Sequence, residues 1–161
     1  MSSHFSSIVL AYDGSENSYK ALIEAEKLAK LSQARLMVLY VKDPTPTYNQ
    51  PMLSGMIVFN QPLTVASPVL ASNDDTDDQT KDPSETILSE AKLKLSSALK
   101  NLDFEKRTGK PAEEICDYAK HNQADLIVIG SRGLSGFQKL IMGSVSSQVT
   151  HNAECPVLVV K

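Results

Sequence analysis

Neither acidic nor basic residues dominate this chain. Its 16 basic and 19 acidic residues leave a net charge of −3, too small to name a partner, and no basic stripe or arginine-rich run marks a nucleic-acid surface. Long apolar runs are also missing: none approaches the roughly 20 residues that a membrane-spanning helix needs, so no membrane contact is expected. The opening Met1-Ser2-Ser3-His4-Phe5 has neither a basic start nor a hydrophobic targeting core, which makes the cytoplasm the expected compartment. Cysteine is limited to Cys116 and Cys155, which without a signal peptide read as free, buried small hydrophobes rather than a structural disulfide. No catalytic triad, metal-ligand cluster or spaced carboxylate pair is present. His121 and His151 fall toward helix ends, where a cation opposing the helix dipole is the simpler explanation.

What remains is an ordinary globular composition, 42% hydrophobic and 22% charged, over 161 residues. That length suits one domain with one full core. Strand and helix signals alternate along it. Ser7–Tyr12 is a short apolar run, followed by turn and N-cap chemistry in Asp13-Gly14-Ser15-Glu16 and by apolar positions at helical spacing from Tyr19 to Ser32. Residues 36–41 form a second strand, and Ile87, Leu88, Ala91, Leu95, Ala98, Leu99 and Leu102 mark an amphipathic helix. A polar strand over 104–108 precedes Pro111, which stands where a first helical residue belongs. Strand 126–129, helix 144–152 and strand 156–160 complete an α/β pattern, and the continuous apolar runs are those of a parallel sheet covered on both faces.

One segment breaks the rhythm. Residues 43–83 hold six of the eight prolines, and residues 72–85 hold six acids against one lysine, so the net negative charge is local. Met52, Leu53, Met56 and Ile57 fall at helical spacing. Two readings stand: a solvated surface excursion, or a lid over a ligand site. A calcium loop is excluded because no glycine occupies the sixth position after Asn73 or Asp75.

The stretch 130–144, GSRGLSGFQKLIMGS, follows directly on the strand at 126–129. A parallel strand leading through a Gly/Ser-rich loop into a helix presents free backbone N–H groups and the helix dipole to phosphate oxygens. Its spacing is neither of the two common phosphate fingerprints, which need Gly-Lys-Ser/Thr or G-x-G-x-x-G. Gly133-Leu134-Ser135-Gly136 also falls short of a nucleophile elbow, since Phe137 stands where that motif needs glycine. In a doubly wound sheet ligands bind outside the strand ends where the strand order reverses. With strand one beside strand four, that point gathers Ala11, Tyr12 and Asp13 with Gly130, Ser131, Arg132 and Gly133, and with Val41 at the neighbouring strand end. Gly130 and Gly133 permit close backbone approach, Gly143 and Ser144 offer N–H groups and a hydroxyl, and Val41 offers an apolar wall for a base. Asp13 can accept from ribose hydroxyls or hold a divalent ion. The bland alternatives are that the glycines are loop punctuation and that Asp13 is only a helix N-cap.

Gly130-x2-Gly133-x9-Gly143-Ser144, the opening Ile8–Ser15, the stretch Ala124–Gly130 and the ending Cys155–Val160 together resemble the universal stress protein family. The resemblance spans the chain except about 44–83, and its glycine motif is that of the family's ATP-binding branch. It implies one domain over residues 1–161 with a variable insertion at about 43–83, on a Rossmann-like, adenine nucleotide alpha hydrolase-like fold. It further implies a five-stranded parallel sheet of order 3-2-1-4-5 and a homodimer joined through strand 156–160. ATP, with magnesium or manganese, would lie among Ala11, Tyr12, Asp13, Val41, Ile129, Gly130, Arg132, Gly133, Gly143, Ser144 and Val145, with Asp13 as the metal contact.

Three functions are compatible with these residues. The first is a regulatory nucleotide-binding protein with slow or no turnover, since a phosphate cradle is present without reaction machinery. The second is an ATP-hydrolysing or nucleotidyl-transferring enzyme, for which Arg132 or Lys139 would have to reach a phosphate. The third is a structural dimer module with an empty site.

Overall fold

The computed structural model describes residues 5–44, 82–95, 97, 99–134 and 142–161. The expectations for the proline-rich and acidic segment therefore fall outside the described residues from 45 to 81, as do those for 135–141. The element order is β1 (Ser7–Ala11), α1 (Glu16–Ser32), β2 (Arg35–Lys42), α2 (Pro83–Lys94), β3 (Leu102–Thr108), α3 (Pro111–His121), β4 (Leu126–Gly130), α4 (Ser144–Asn152) and β5 (Val157–Val160).

Local chemistry sets most of these limits. Ser15 is extended and its side chain accepts from the Ser18 amide, so α1 starts at Glu16, earlier than its apolar period alone suggests. The helix ends at Gln33, which takes the left-handed conformation of a C-cap (φ 57°). Asp82 caps α2, and Pro83 and Pro111 each stand at a helix start, where a missing N–H costs nothing. The helix expected to run to Leu102 stops at Lys94, because Leu95 is already extended (ψ 141°). Leu99 and Leu102 still pack on the core, but from beyond the helix, and Leu102 opens β3 opposite Leu36. Their hydrophobicity reports burial; their spacing does not report a helix.

The five strands form one parallel sheet of order β3-β2-β1-β4-β5. Successive side chains of a strand point to opposite faces, and this divides the core in two. Ile8, Leu10, Leu36, Val38 and Val128 pack against Ala21, Leu22, Ala25 and Ala29 of α1 and Ala91 of α2. Val9, Met37, Leu39, Ile127 and Ile129 pack against Ala112, Ile115 and Ala119 of α3 and Val149 of α4. Burying each of the large aliphatic side chains is worth about 1.5–3 kcal/mol, which is why these runs prefer the sheet interior. The alanines on α1 let that helix lie close to the strands. The edge strands differ in character: β3 carries Glu105 and Lys106 exposed, whereas β5 is apolar.

Strand order reverses between β1 and β4. From β1 the chain winds outward through β2 to β3, then returns to the other side of β1 for β4 and β5. The crevice at this reversal is where the loops after β1 and β4 meet.

Candidate functional site

The main chain carries Ala11 and Tyr12 out of the sheet, with the Tyr12 amide donating to the Leu39 carbonyl at 2.9 Å. Tyr12 is 2% exposed and its ring belongs to the core under α1 and α2. Any part it takes in the crevice is confined to backbone. Ala11 and Ile129 likewise sit in the opposite core face, as floor rather than wall. Gly14 follows in the left-handed region (φ 82°), the one conformation in this turn that favours glycine.

Asp13 is half-buried and ties two loops together. Its Oδ1 accepts from the Ser15 amide at 2.9 Å, and its Oδ2 accepts from the Leu134 amide at 3.3 Å. The N-cap of α1 is thus Ser15, which corrects the reading of Asp13 as only a cap; Asp13 sets the turn and reaches across to the loop after β4. There Gly133 lies so close that a Cβ on it would stand 2.6 Å from Asp13 Oδ2. Next to this pair, Tyr40 has its phenol pushed up, first by burial and then by the negative charges of Asp82 and Asp13.

Gly130 answers a different constraint. A Cβ there would come within 2.7–2.8 Å of the Asn17 and Ser18 backbone, so this glycine lets the first turn of α1 press against the end of β4. The close backbone approach expected of Gly130 is thus made to the backbone of α1. Gly143 caps α4 with φ −74°, a conformation open to any residue, and its amide donates to the Ser131 carbonyl at 2.7 Å. That N–H is already used. The amides left at the helix start are those of Ser144, Val145 and the buried Ser146, and no side chain caps α4. Ser144 is exposed and Val145 half-buried.

Ser131, which the sequence placed at the strand end without a role, is a hydrogen-bonding centre of the site. It is 3% exposed. Its amide donates to the Val160 carbonyl at 2.6 Å, its carbonyl accepts from Gly143 and from Ser146 Oγ (2.9 Å), and its Oγ accepts from Asn17 Nδ2 at 3.3 Å. Ser15 Oγ adds a contact to the neighbouring Arg132 carbonyl at 3.4 Å. The only signal in the chain was its place between Gly130 and Gly133. Val41 lies near the carboxyl end of β2, two residues past the Ala11–Leu39 register pair, and packs partly on the α3–α4 face. The structure therefore brings Asp13, Gly130, Arg132, Gly133, Gly143 and Ser144 to one strand-end crevice, with Val41 at the adjacent strand end. Both cysteines are free. No helix among the described residues is long and apolar enough to cross a membrane.

Known proteins resemble this chain over nearly its full length. The stress response protein NhaX of Bacillus subtilis is 33% identical over 98% of this chain and 99% of its own length. The solved universal stress protein UspA of Lactobacillus plantarum superposes with a TM-score of 0.67 at 27% identity, covering 99% of this chain and 100% of its own. A solved universal stress protein in complex with cAMP gives a TM-score of 0.65 at 23% identity, covering 99% and 98%; at that identity the likeness speaks for the fold alone. The five-stranded order and flanking helices are those of the adenine nucleotide alpha hydrolase-like fold. The universal stress protein family model matches residues 4–161. With matching sheet order, near-complete coverage and a family match that takes in the whole described sheet, this chain belongs to the universal stress protein family.

Proposed function

We propose that this chain binds ATP in the crevice above the β1–β4 reversal and serves as a regulatory nucleotide-binding module in a stress response, turning ATP over slowly or not at all. The observation that carries the reading is the convergence of Asp13, Gly133 and the uncapped start of α4 on one crevice. An uncapped helix N-terminus favours an anion through its free N–H groups and its dipole. The Ser144 and Val145 amides and the Ser144 hydroxyl would meet phosphate oxygens. Asp13 would accept from ribose, Val41 would flank the base, and Ala11, Tyr12, Ile129 and Gly130 would supply the floor. A structural neighbour of the same fold was solved in complex with cAMP, itself a nucleotide.

A metal would enter with the phosphates. No group of three His, Cys, Asp or Glu side chains gathers around an ion among the described residues. Magnesium or manganese at Asp13 would therefore complete its shell with phosphate oxygens and water. That ion would supply charge neutralisation of the phosphate tail. The same proposal keeps residues 1–161 as one domain with the insertion at 43–83, a cytoplasmic setting, and a homodimer paired through β5.

Mass spectrometry of the nucleotide released from the denatured, purified protein tests the reading. ATP in near-equimolar amount is the expected result. An empty protein that also shows no calorimetric response to ATP overturns it. A turnover assay on the same material decides between module and enzyme: sustained phosphate release at about 1 s⁻¹ or faster, within the usual enzyme range, would favour the ATPase reading.

A further inference from the structure

Many basic side chains have carboxylate partners, as in Lys30 with Glu26, Arg35 with Asp103 and Lys120 with Glu154. Arg132 and Lys161 have none among the described residues. These two line one cavity of about 320 Å³ together with Asn17 and Ser131, at the lower end of the range for small-ligand sites. The cavity lies at the ends of β4 and β5. The Gly130–Val160 register and the Ser131 amide bond to Val160 bring residue 161 beside Ser131. The close fit of α1 on Gly130 brings Asn17 to the same place. Ser131 Oγ accepts from the Asn17 amide, which leaves its own proton free to donate, and Asn17 keeps a second amide hydrogen.

We propose that this cavity is a phosphate-oxyanion subsite, in which Arg132 and Lys161 provide charge and Asn17 and Ser131 provide directed donors. Two unpaired cations around a polar recess are matched by a group with several acceptor oxygens, and a guanidinium can hold two of them at once. Ser131 joins this recess to the crevice, because its carbonyl accepts from both Gly143 and Ser146 at the start of α4. The oxyanion can therefore be free phosphate or the terminal phosphate of a bound nucleotide. Only the second source rests on the nucleotide reading above.

Calorimetry with inorganic phosphate, ATP and AMP on the full chain, Lys161→Ala and Lys161→Arg tests this. Inorganic phosphate should bind the wild type and lose about fivefold or more in affinity in Lys161→Ala, about the loss of one charge-assisted contact. Lys161→Arg should restore it. If the terminal phosphate of a nucleotide is the natural occupant, Lys161→Ala also weakens ATP while AMP stays unchanged. If free phosphate is, ATP and AMP are both unchanged. Equal binding of all three probes by wild type and Lys161→Ala overturns the subsite. Failure of wild type to bind ATP and AMP, with phosphate binding intact and sensitive to Lys161, would overturn the nucleotide reading and leave the subsite standing.

Discussion

The Asp13 carboxylate fills the space that a side chain on Gly133 would need, its Oδ2 standing 2.6 Å from where that Cβ would lie. Held by the Ser15 and Leu134 amides, it cannot retreat without breaking a hydrogen bond. Gly133→Ala should therefore destabilise the protein by about 1–3 kcal/mol, the usual range for overpacking, and weaken nucleotide binding. In an Asp13→Ala background the same change should cost much less. Urea unfolding of the double-mutant cycle measures the coupling; additive effects would mean that the two residues do not constrain each other.

Gly143 tests the other wall of the crevice. Its backbone conformation suits any residue, but a Cβ would stand 3.3 Å from the Ser131 carbonyl. A branched side chain would then crowd the start of α4 where phosphate is proposed to bind. Gly143→Val should abolish ATP binding. Ser144→Ala should weaken it by about 1.5–3 kcal/mol, the worth of a hydrogen bond to a charged group, since backbone donors remain. Calorimetry on variants with wild-type circular dichroism decides, and unchanged ATP affinity in Gly143→Val would reduce the glycine loop to a turn.

Gly130 makes a different forecast. With the Asn17 and Ser18 backbone at 2.7–2.8 Å from its Cβ position, Gly130→Ala must displace helix α1 itself. The expected result is a loss of about 1–3 kcal/mol in unfolding free energy, with or without nucleotide. A neutral substitution would show that α1 has slack at this contact.

Among the described residues, strand β5 pairs only with β4 and leaves Leu158 exposed. An apolar edge of this kind invites pairing with another chain. Val159→Lys should convert a dimer to a monomer in light scattering while the circular dichroism spectrum is retained. Wild-type mass in that variant would place the interface elsewhere.

Acid should weaken one surface contact selectively. Lys106, and then the Ser84 amide, hold the Asp82 carboxyl far below the ordinary carboxylate range. A carboxyl depressed in the folded state contributes stability above its unfolded value of about 3.9 and loses it as pH falls through the folded value. The urea midpoint of wild type should exceed that of Asp82→Asn at pH 7, and the gap should close below about pH 4. A gap that is constant down to the lowest accessible pH would show that the charge is not its source.

The strands and most helix limits were legible in the sequence because their causes are local: runs such as Ile8–Ala11 and Leu126–Ile129, the cap at Ser15, and prolines at 83 and 111. The end of α2 was not. Leu99 and Leu102 satisfy a helical period, yet pairing of Leu102 with Leu36 draws that part of the chain toward the sheet. The same division runs through the candidate site. Which residues stand at the strand ends followed from order and spacing, since Asp13, Val41, Gly130 and Gly143 each lie next to a strand or helix limit. How they act was decided by tertiary contact: Gly130 by the backbone of α1, the Gly143 amide by the Ser131 carbonyl, and Tyr12 by the core that encloses its ring. Ser131 and Lys161 became neighbours only through the register of β5 on β4. Local propensity and periodicity depend on residues a few positions apart, so a single sequence carries them. The space around an atom depends on residues more than a hundred positions away, and only the folded chain brings those together.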